Sequence, residues 1–529
     1  MAHDFDACVI GSGFGGAPVA ARLTEAGYRV VVLERGRRWD PADYPRKLGD
    51  AWMWDQKDPA RRHGWLDLRA FPRMSVALGA GVGGGSLIYT SASRDAPPDV
   101  FDAGWPPEIT FAELRPYYDK VAAMLEPREI PDNQETPRTR ILRDAATAAG
   151  FADRFGKIPL AIRFDPHYAY DGTTPPRIDD STRSLNAHGR RQGTCVGLGN
   201  CYVGCDVQAK NTLDLNYLAR AEDGGAQVRP LHVVRRLTPH DGGYRVDFET
   251  IAGGALQPGS LSARLVVVSA GSLGSTELLL RCRDEFRTLP HVSPRLGHGW
   301  SGNGEALTLG LFKRKAYPSR GPTFSALVDF NGPKSLDGQH FMIEDGGFPD
   351  LLGNFLREAR AAGNGRGAHG LLDALRHVLG TDSALDGVIP YFGQSRDAAD
   401  GRLRLRRRFL GLIGPRELHL DWDPRASERA LEALIRTEEK ITRAGGGTHV
   451  VLPAWSLFKE LITAHPLGGC GLGGSAHDGV VAHTGEVFGH RNLFVSDGAI
   501  IPRALGLFPS KTIAALGERI AALIARDGR

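Results

Sequence analysis

A glycine loop between two apolar runs near the start of the chain restricts the fold more than any other feature. Residues 7–10 and the stretch from Arg29 to Leu33, which is apolar after its arginine, are typical of buried strands. A helix between them is predicted to extend through Leu23. The joining loop carries the pattern G-x-G-x-x-G, whose glycines are Gly11, Gly13 and Gly16. Such glycines permit a tight turn, close approach of backbone to a pyrophosphate and close packing of helix on strand. The pattern predicts a βαβ unit of the Rossmann type.

The residue that ends the second strand indicates which dinucleotide this unit binds. Glu34 lies 18 residues after Gly16, where a carboxylate can hold a ribose hydroxyl. An acid there favours a free hydroxyl over a phosphorylated one, so NAD or FAD is preferred to NADP. Residues 77–94 form a second glycine loop, and residues 263–281 predict a strand, a glycine turn and a helix that re-enter the same sheet. Together these segments favour the longer flavin cofactor.

Composition excludes several classes of protein. A chain of 529 residues suggests two large domains, or one domain with a large insertion. A net charge of only +4 gives no argument for nucleic-acid binding, and six cysteines are too few for a disulfide framework. The sequence contains no run of eighteen or more apolar residues, so it predicts no transmembrane helix. Because the first strand starts near Asp4, no secretory signal is expected, which favours the cytoplasm or its membrane face.

Motifs along almost the whole chain resemble the glucose–methanol–choline (GMC) oxidoreductases, and within them the cholesterol oxidase-like branch. They read "IGSGFGGAPVAARL", "GVGGGSLIY", "GCDVQAKNTLDLNYL", "VVVSAGSLGSTELLL", "HPLGGC" and "GHRNLFVSDGAIIPRALGLFPSKTIAALGERI". The resemblance implies bound FAD and an α/β fold. It implies a Rossmann-like FAD-binding domain assembled from discontinuous segments, and a substrate domain with a mostly antiparallel sheet and helices. It also implies oxidation of an alcohol by removal of a proton and a hydride.

Five segments follow from this resemblance. The FAD-binding domain is expected at residues 1–120, 191–304 and 455–529, an insertion on the substrate side at 121–190, and the substrate-binding domain at 305–454.

The resemblance also assigns the cofactor contacts. Glu34 would hold the adenosine ribose and Val234 would present its backbone to the adenine. The remaining cofactor-binding positions would be Gly11, Gly13, Gly16, Gly84, Gly85, Ser86, Ala270, Gly271, Asp497, Gly498, Phe508 and Pro509. The final helix, beginning at Pro509, would point its positive N-terminus at the flavin edge, and Lys511 in its first turn is expected to face solvent.

Three residues carry the expected chemistry. His465 matches the family histidine that holds or deprotonates the substrate hydroxyl, a role that suits an imidazole near neutral pH. The family places an Asn or a second His immediately before the proline of the final helix. Here that residue is Phe508, which can neither donate nor accept a hydrogen bond. Glu344 matches the carboxylate that moves a proton during double-bond isomerisation in cholesterol oxidases, and a solvated turn before Gly346 is the structural alternative.

Phe508 leaves two functions open. The first is a flavin oxidase or dehydrogenase for a bulky hydrophobic alcohol such as a sterol or terpenoid, with oxygen or an unknown carrier as electron acceptor. The second is an FAD enzyme that has departed from alcohol oxidation, either an isomerase using Glu344 and His465 or a dehydrogenase of a ketone or carbon acid. A flavin-binding protein without catalysis is less favoured because His465 and the flavin motifs are present.

Two further segments carry predictions. Cys195, Cys201 and Cys205 follow a ferredoxin-like spacing with one cysteine replaced by Leu198, so a metal or iron–sulfur cluster is considered beside a buried, thiol-rich loop without metal. Residues 351–380 contain two apolar stripes with accompanying arginines. They are expected to form a lid, a peripheral contact with a membrane, or ordinary packed helices.

Overall fold

The computed structural model describes residues 3–47, 49–350, 384–407, 414–452, 455–456 and 459–528. The stretch 351–380 therefore lies outside the described residues. The described α-helices are α1 (Gly16–Glu25), α2 (Phe111–Leu125), α3 (Pro137–Ala148), α4 (Tyr217–Asp223), α5 (Gly271–Leu280), α6 (Glu428–Ala444) and α7 (Ser510–Arg526).

The first large sheet is the predicted Rossmann-type sheet. Its strands, in spatial order, are β8 (Gln227–Arg229), β2 (Val30–Leu33), β1 (Phe5–Ile10), β11 (Ala255–Val268), β10 (Gly243–Ala252) and β9 (His232–His240), and β21 (Leu493–Val495) also pairs with β11. The pairs β8–β2, β2–β1, β1–β11 and β11–β21 are parallel. Strands from three distant parts of the chain thus build one sheet, which confirms the discontinuous Rossmann-like domain.

The second large sheet forms the floor of the substrate side. Its order is β19 (Thr448–Val451), β13 (Ala306–Leu311), β16 (Val388–Ser395), β15 (Phe341–Asp345), β14 (Ala326–Phe330) and β5 (Phe155–Lys157). Every pair in this sheet is antiparallel. Helices α3 and α6 cover one face with buried apolar side chains, among them Leu142, Leu431 and Leu434.

Smaller sheets connect the two halves. They comprise β20 (Leu461–Thr463), β4 (Met74–Gly79) and β3 (Leu66–Phe71) in one sheet, β12 (His298–Trp300), β17 (Gly401–Arg407) and β18 (Arg416–Asp421) in a second, and the pair β6 (Ser184–Leu185) and β7 (Arg191–Gln192). Among the described residues, no helix combines the length and the apolar character that crossing a membrane requires.

Local sequence explains where the helices that face the site begin. The turn before α1 needs Gly11 in a left-handed conformation with φ +102°, and a Cβ there would come 2.3 Å from the Ser269 carbonyl oxygen. Pro509 stands immediately before α7, whose first residue is Ser510. A proline there loses no hydrogen bond, because the first N–H groups of a helix have no partner within it. The helix therefore starts one residue later than predicted.

Candidate active site

One cavity of about 750 Å³ connects the Rossmann-type sheet to the substrate-side sheet. Glu34 and Val234 line one end, and His465, Phe508 and Phe392 line the other. Its length therefore spans the expected adenosine site and the expected site of chemistry, as an extended dinucleotide requires.

The carboxylate of Glu34 holds the glycine loop at the adenosine end. Its Oε2 atom accepts hydrogen bonds from the Ser12 hydroxyl at 2.6 Å and the Ser12 N–H at 3.1 Å. Its Oε1 atom accepts the Gly36 N–H at 2.9 Å. Val234 lies on β9 and also lines the cavity.

The glycines show why larger side chains do not fit along the cavity. A Cβ on Gly16 would lie 2.1 Å from the Gly11 carbonyl oxygen, so this glycine permits close packing of α1. A Cβ on Gly85 or Gly271 would meet no protein atom within 4 Å, and both residues line the cavity. A side chain at either position would project into the space that the cofactor needs.

Three helices direct their N-terminal ends at the cavity. The first residues of α5 and α7, and the loop that leads into α1, all line it. Helix N-termini carry partial positive charge and unpaired N–H groups, which suit a pyrophosphate and the negative charge of a reduced flavin. Together with the glycine-lined space, this arrangement fits FAD.

Asp497 ties two of the predicted cofactor segments together. Its carboxylate accepts the Gly271 N–H and the Ala499 N–H, both at 2.8 Å, and also the Ser275 hydroxyl. Burial raises the pKa of Asp497 to about 6, although these hydrogen bonds oppose the shift. The residue lines the cavity with Gly498, Ala270 and Pro509, at the positions assigned by resemblance.

Two expectations about side chains in this region need revision. Within the described residues, Ser86 does not reach the cavity, because its hydroxyl donates to the Gly83 carbonyl and accepts the Leu213 N–H. Lys511 does not face solvent. It is buried, and its Nζ atom lies 2.5 Å from a carboxylate oxygen of Asp95. In the first turn of α7, Lys511 lies on the side of the helix that packs against other segments of the protein and not against water.

At the other end of the cavity, His465 faces a carboxylate that the sequence analysis did not identify. The Nδ1 atom of His465 lies 3.2 Å from Oε2 of Glu305, without the alignment of a good hydrogen bond. The same oxygen accepts the Thr463 hydroxyl at 2.8 Å and the Ala464 N–H at 2.9 Å. Burial would raise the pKa of Glu305, but the charge of His465 and these hydrogen bonds outweigh it, so the pKa is lowered.

Aromatic side chains enclose this polar pair. Phe508 is buried, and its ring centroid lies 6.2 Å from that of Phe324, which in turn lies 5.3 Å from that of Phe392. Tyr202 packs against Phe324 and Phe392 and lines the same cavity. Burial, followed by the charges of Glu305 and Glu344, raises the pKa of Tyr202 well above its usual value.

Glu344 lies within the substrate-side sheet that borders the cavity. It does not lie in a solvated turn, which was the structural alternative. It belongs to β15, is fully buried, and pairs in register with Phe392, so both side chains occupy the same sheet face. Gln394 donates to its Oε1 atom at 3.2 Å, and its Oε2 atom has no hydrogen-bond partner. Burial, with the nearby charge of Glu305, raises the pKa of Glu344 well above its usual value. In the described structure Glu344 does not itself reach the cavity surface.

The three cysteines do not form a metal site in the described residues. No group of three His, Cys, Asp or Glu side chains there is arranged to hold a metal ion, and Cys195, Cys201 and Cys205 are free thiols. Burial raises the pKa of Cys195 and of Cys205, which favours the protonated thiol when no metal ion is bound.

Sequence reasoning missed Glu305 and Tyr202, although one signal for Glu305 was present. The alternating strand "ALTLGL" begins directly after Glu305. With a period of two, Glu305 shares a face with Leu307 and Leu309. The sequence alone did not indicate that this face meets the loop carrying His465.

The glycine-lined cavity between a Rossmann-type sheet and an antiparallel sheet, with a histidine at its far end, defines an FAD-dependent oxidoreductase. Residues 398–517 match the family model described as GMC oxidoreductase, and residues 9–39 match that of an NAD(P)-binding Rossmann-like domain. The chain is 31% identical to a cholesterol oxidase of Mycobacterium tuberculosis (strain ATCC 25618 / H37Rv), over 100% of this chain and 92% of that protein. This chain belongs to the GMC oxidoreductases, in the cholesterol oxidase-like branch.

Other relatives agree with this assignment. A cholesterol oxidase of Acinetobacter baumannii is 29% identical over 98% of this chain and 94% of its own length. Among solved structures, an FAD-dependent oxidoreductase from Chaetomium thermophilum superposes with a TM-score of 0.63 at 15% identity, covering 99% of this chain and 100% of that one. Pyridoxine 4-oxidase from Mesorbium loti superposes with a TM-score of 0.61 at 17% identity, covering 98% of both chains. These structures support the fold alone.

Proposed function

We propose that the protein oxidises a bulky, hydrophobic alcohol of the sterol or terpenoid type. The observation that carries this proposal is the aromatic enclosure at the far end of the cavity. Phe324, Phe392 and Phe508 surround a small polar group centred on His465. Apolar walls with few polar groups bind an apolar ligand and orient its one polar function. The names of the relatives, cholesterol oxidases, support the same substrate class.

In the proposed reaction the cofactor and the residues of the site have separate roles. Bound FAD supplies the acceptor of the substrate hydride. His465 holds the hydroxyl and accepts its proton as the O–H bond breaks. The aromatic side chains exclude water and fix the ring system of the substrate. The N-terminus of α7, at Ser510, favours negative charge at the edge of the cavity that it faces. Oxygen is the proposed electron acceptor, and a separate carrier is the alternative.

Anaerobic mixing with a panel of alcohols tests this proposal. We expect sterols or terpenoid alcohols to bleach the flavin absorption. Short polar alcohols should leave the flavin absorption unchanged. His465→Ala provides the control, since loss of a general base costs about 100-fold to 10,000-fold in rate. If no hydrophobic alcohol bleaches the flavin, or if polar alcohols are the better substrates, the proposed substrate class is wrong.

A second candidate activity is isomerisation of a double bond in the same ligand. It rests on Glu344, which is fully buried next to the cavity wall and has one carboxylate oxygen without a hydrogen-bond partner. A carboxyl group with a raised pKa can accept and return a proton. Anaerobic incubation with an unconjugated enone separates the two activities. Isomerisation gives the ultraviolet band of a conjugated enone without bleaching the flavin, and Glu344→Gln abolishes that band.

We also propose that the protein acts in the cytoplasm, and at the surface of a membrane when its substrate is dissolved there. The apolar character of the enclosure around His465 supports a lipid-dissolved substrate. Flotation of the protein with vesicles that contain the hydrophobic alcohol tests this proposal, with vesicles of phosphatidylcholine alone as the control. Equal recovery in both would contradict a contact that depends on substrate.

A further inference from the structure

We propose that Glu305 is a positioning residue that replaces the missing polar partner of His465, so that the two form a carboxylate–histidine base. The inference rests on the proposed function, because it concerns the removal of a proton from an alcohol. It differs from the family pattern, in which the second polar group stands immediately before the final helix. Here that position is Phe508.

The geometry around Glu305 fixes its carboxylate in place. The Oε2 atom accepts hydrogen bonds from the Thr463 hydroxyl at 2.8 Å and the Ala464 N–H at 2.9 Å, so the turn that carries His465 also holds its partner. Nδ1 of His465 lies 3.2 Å from the same oxygen. A small rotation of the imidazole would align its N–H with this oxygen. Because the two anchoring donors belong to the residues immediately before His465, the carboxylate and the ring cannot separate without moving the whole turn.

The charges that face Glu305 leave one negative charge in the group. His465 and the hydrogen bonds from its turn favour the ionised form of Glu305. Burial raises the pKa of Glu344, across the sheet face, and of Tyr202, on the opposite wall, which favours the neutral form of both groups. Ionised Glu305 is therefore the counter-ion available to a protonated His465 within this group.

This arrangement explains how His465 can act without a polar residue at position 508. When the substrate O–H bond breaks, its proton passes to the imidazole nitrogen that does not face Glu305, and bound FAD would supply the acceptor for the hydride of the adjacent carbon. The imidazole then carries a positive charge, which the carboxylate stabilises. A carboxylate that holds a catalytic histidine in one tautomer and stabilises its cation contributes up to about 10,000-fold in rate in hydrolases. Here Glu305 acts through His465.

A matched control lies on helix α6. Glu438 of this helix is fully buried against the face of β13 that carries Thr308, where it accepts the Thr308 hydroxyl at 2.8 Å and lies 3.7 Å from Nε2 of His449. Glu438→Gln thus removes a buried carboxylate beside a histidine without touching the cavity. Effects of general packing appear in both variants, and effects of the proposed pair appear only in Glu305→Gln.

The first experiment needs no substrate. Diethyl pyrocarbonate modifies neutral imidazole, and peptide mass spectrometry measures the modification of His465 as a function of pH in the holoenzyme. An anion at this distance favours the protonated ring. In Glu305→Gln we therefore expect the half-point of modification to move to lower pH by about one unit or more. It should stay in place in Glu438→Gln. In Glu305→Asp, which retracts the charge by one methylene, it should lie between wild type and Glu305→Gln.

The second experiment follows flavin reduction in a stopped-flow instrument under anaerobic conditions. Glu305→Gln should slow reduction at saturating substrate by about 100-fold or more, with a small change in KM and an acid limb moved to lower pH. Unchanged flavin content and melting temperature show that the variant is folded. If Glu305→Gln fails to fold, Glu305→Asp carries both measurements.

The outcomes separate this inference from the proposed function. Equal half-points in wild type and Glu305→Gln, or equal shifts in Glu305→Gln and Glu438→Gln, overturn the pair. A rate in Glu305→Gln within threefold of wild type, about 0.7 kcal/mol by the usual conversion, also overturns it. If wild type reduces its flavin with no alcohol, the proposed function fails, and the modification experiment still decides whether Glu305 and His465 act as a pair.

Discussion

Replacement of Phe508 by asparagine introduces the polar residue that the resemblance to the GMC oxidoreductases implies at this position, and its effect depends on whether Glu305 already supplies that role. Phe508 is 3% exposed and packs against Phe324. Truncation of a buried phenylalanine costs about 3–5 kcal/mol. Because Phe508 lines an existing cavity, we expect a value near the lower end, about 3 kcal/mol. For a chain of 529 residues the entropy of unfolding is about 1.1 kcal/mol per kelvin, so the melting temperature falls by about 3 °C.

The rate of flavin reduction gives the decisive measurement. If Glu305 and His465 form the base, Phe508→Asn changes the wild-type rate by less than about tenfold, because no polar partner is missing. In Glu305→Gln the same substitution should raise the rate by about tenfold or more, since the amide can then hold the substrate oxygen. Where Phe508→Asn leaves the wild-type rate unchanged, a tenfold gain in Glu305→Gln corresponds to a coupling free energy of about 1.4 kcal/mol, as expected for residues in one network. Phe508→Leu is the control, because it keeps the position apolar.

Two results would refute this reasoning. If Phe508→Asn accelerates the otherwise unchanged protein by about 100-fold, the asparagine supplies a function that Glu305 does not. If it has the same effect with and without Glu305, the two positions are independent and share no role. Anaerobic stopped-flow traces on all four combinations distinguish these cases.

Three further predictions concern the cofactor and the final helix. Gly271→Val should yield protein without flavin absorption, because the valine side chain would enter the cavity. The control is Gly253→Val, which should purify with flavin. Gly253 also has a left-handed φ, and a side chain there would meet open space on a hairpin. Glu518→Gln should lower the free energy of unfolding by about 2 kcal/mol in a denaturant titration. The buried carboxylate accepts hydrogen bonds from two nitrogens of Arg22, which stays partly exposed. A change below about 0.5 kcal/mol would contradict this prediction. Lys511→Met should lower the melting temperature without loss of flavin, because this lysine pairs beside the cavity and does not line it; release of flavin would contradict that placement.

The sequence predicted the cofactor half of the molecule well because its signals are local. The spacing of Gly11, Gly13 and Gly16 and the acid at residue 34 lie within one βαβ unit, and β1 and β2 form where the apolar runs predicted them. The strand within 263–281 does re-enter the sheet, as β11 beside β1. In these cases the turn chemistry and the hydrophobic period are sufficient, since neither depends on residues far away in the chain.

The errors arose where distant segments meet. Lys511 is followed at helical spacing by Ala514, Ala515 and Glu518, all buried, so its side of α7 faces protein. A charged residue in a first turn is normally exposed. Here the carboxylate of Asp95, on another segment, offsets the free-energy cost of burying the lysine. Glu305 was missed for the same reason, because it lies 160 residues before His465 and nothing local indicates their contact.

The structure shows why the polar partner of His465 need not stand before the final helix. The segments 301–305 and 463–467 are joined by reciprocal backbone hydrogen bonds between Ser301 and Leu467, at 3.0 and 2.9 Å, and by the bonds from Thr463 and Ala464 to Glu305. A side chain at position 305 is therefore held against His465 by main-chain contacts and does not depend on the packing of α7. Position 508 is then free to be apolar, and a phenylalanine there completes the aromatic enclosure with Phe324 and Phe392. In the proposed function, a polar partner placed before β13 and not before α7 couples two properties of the site, a base that does not need residue 508 and a pocket suited to a hydrophobic alcohol.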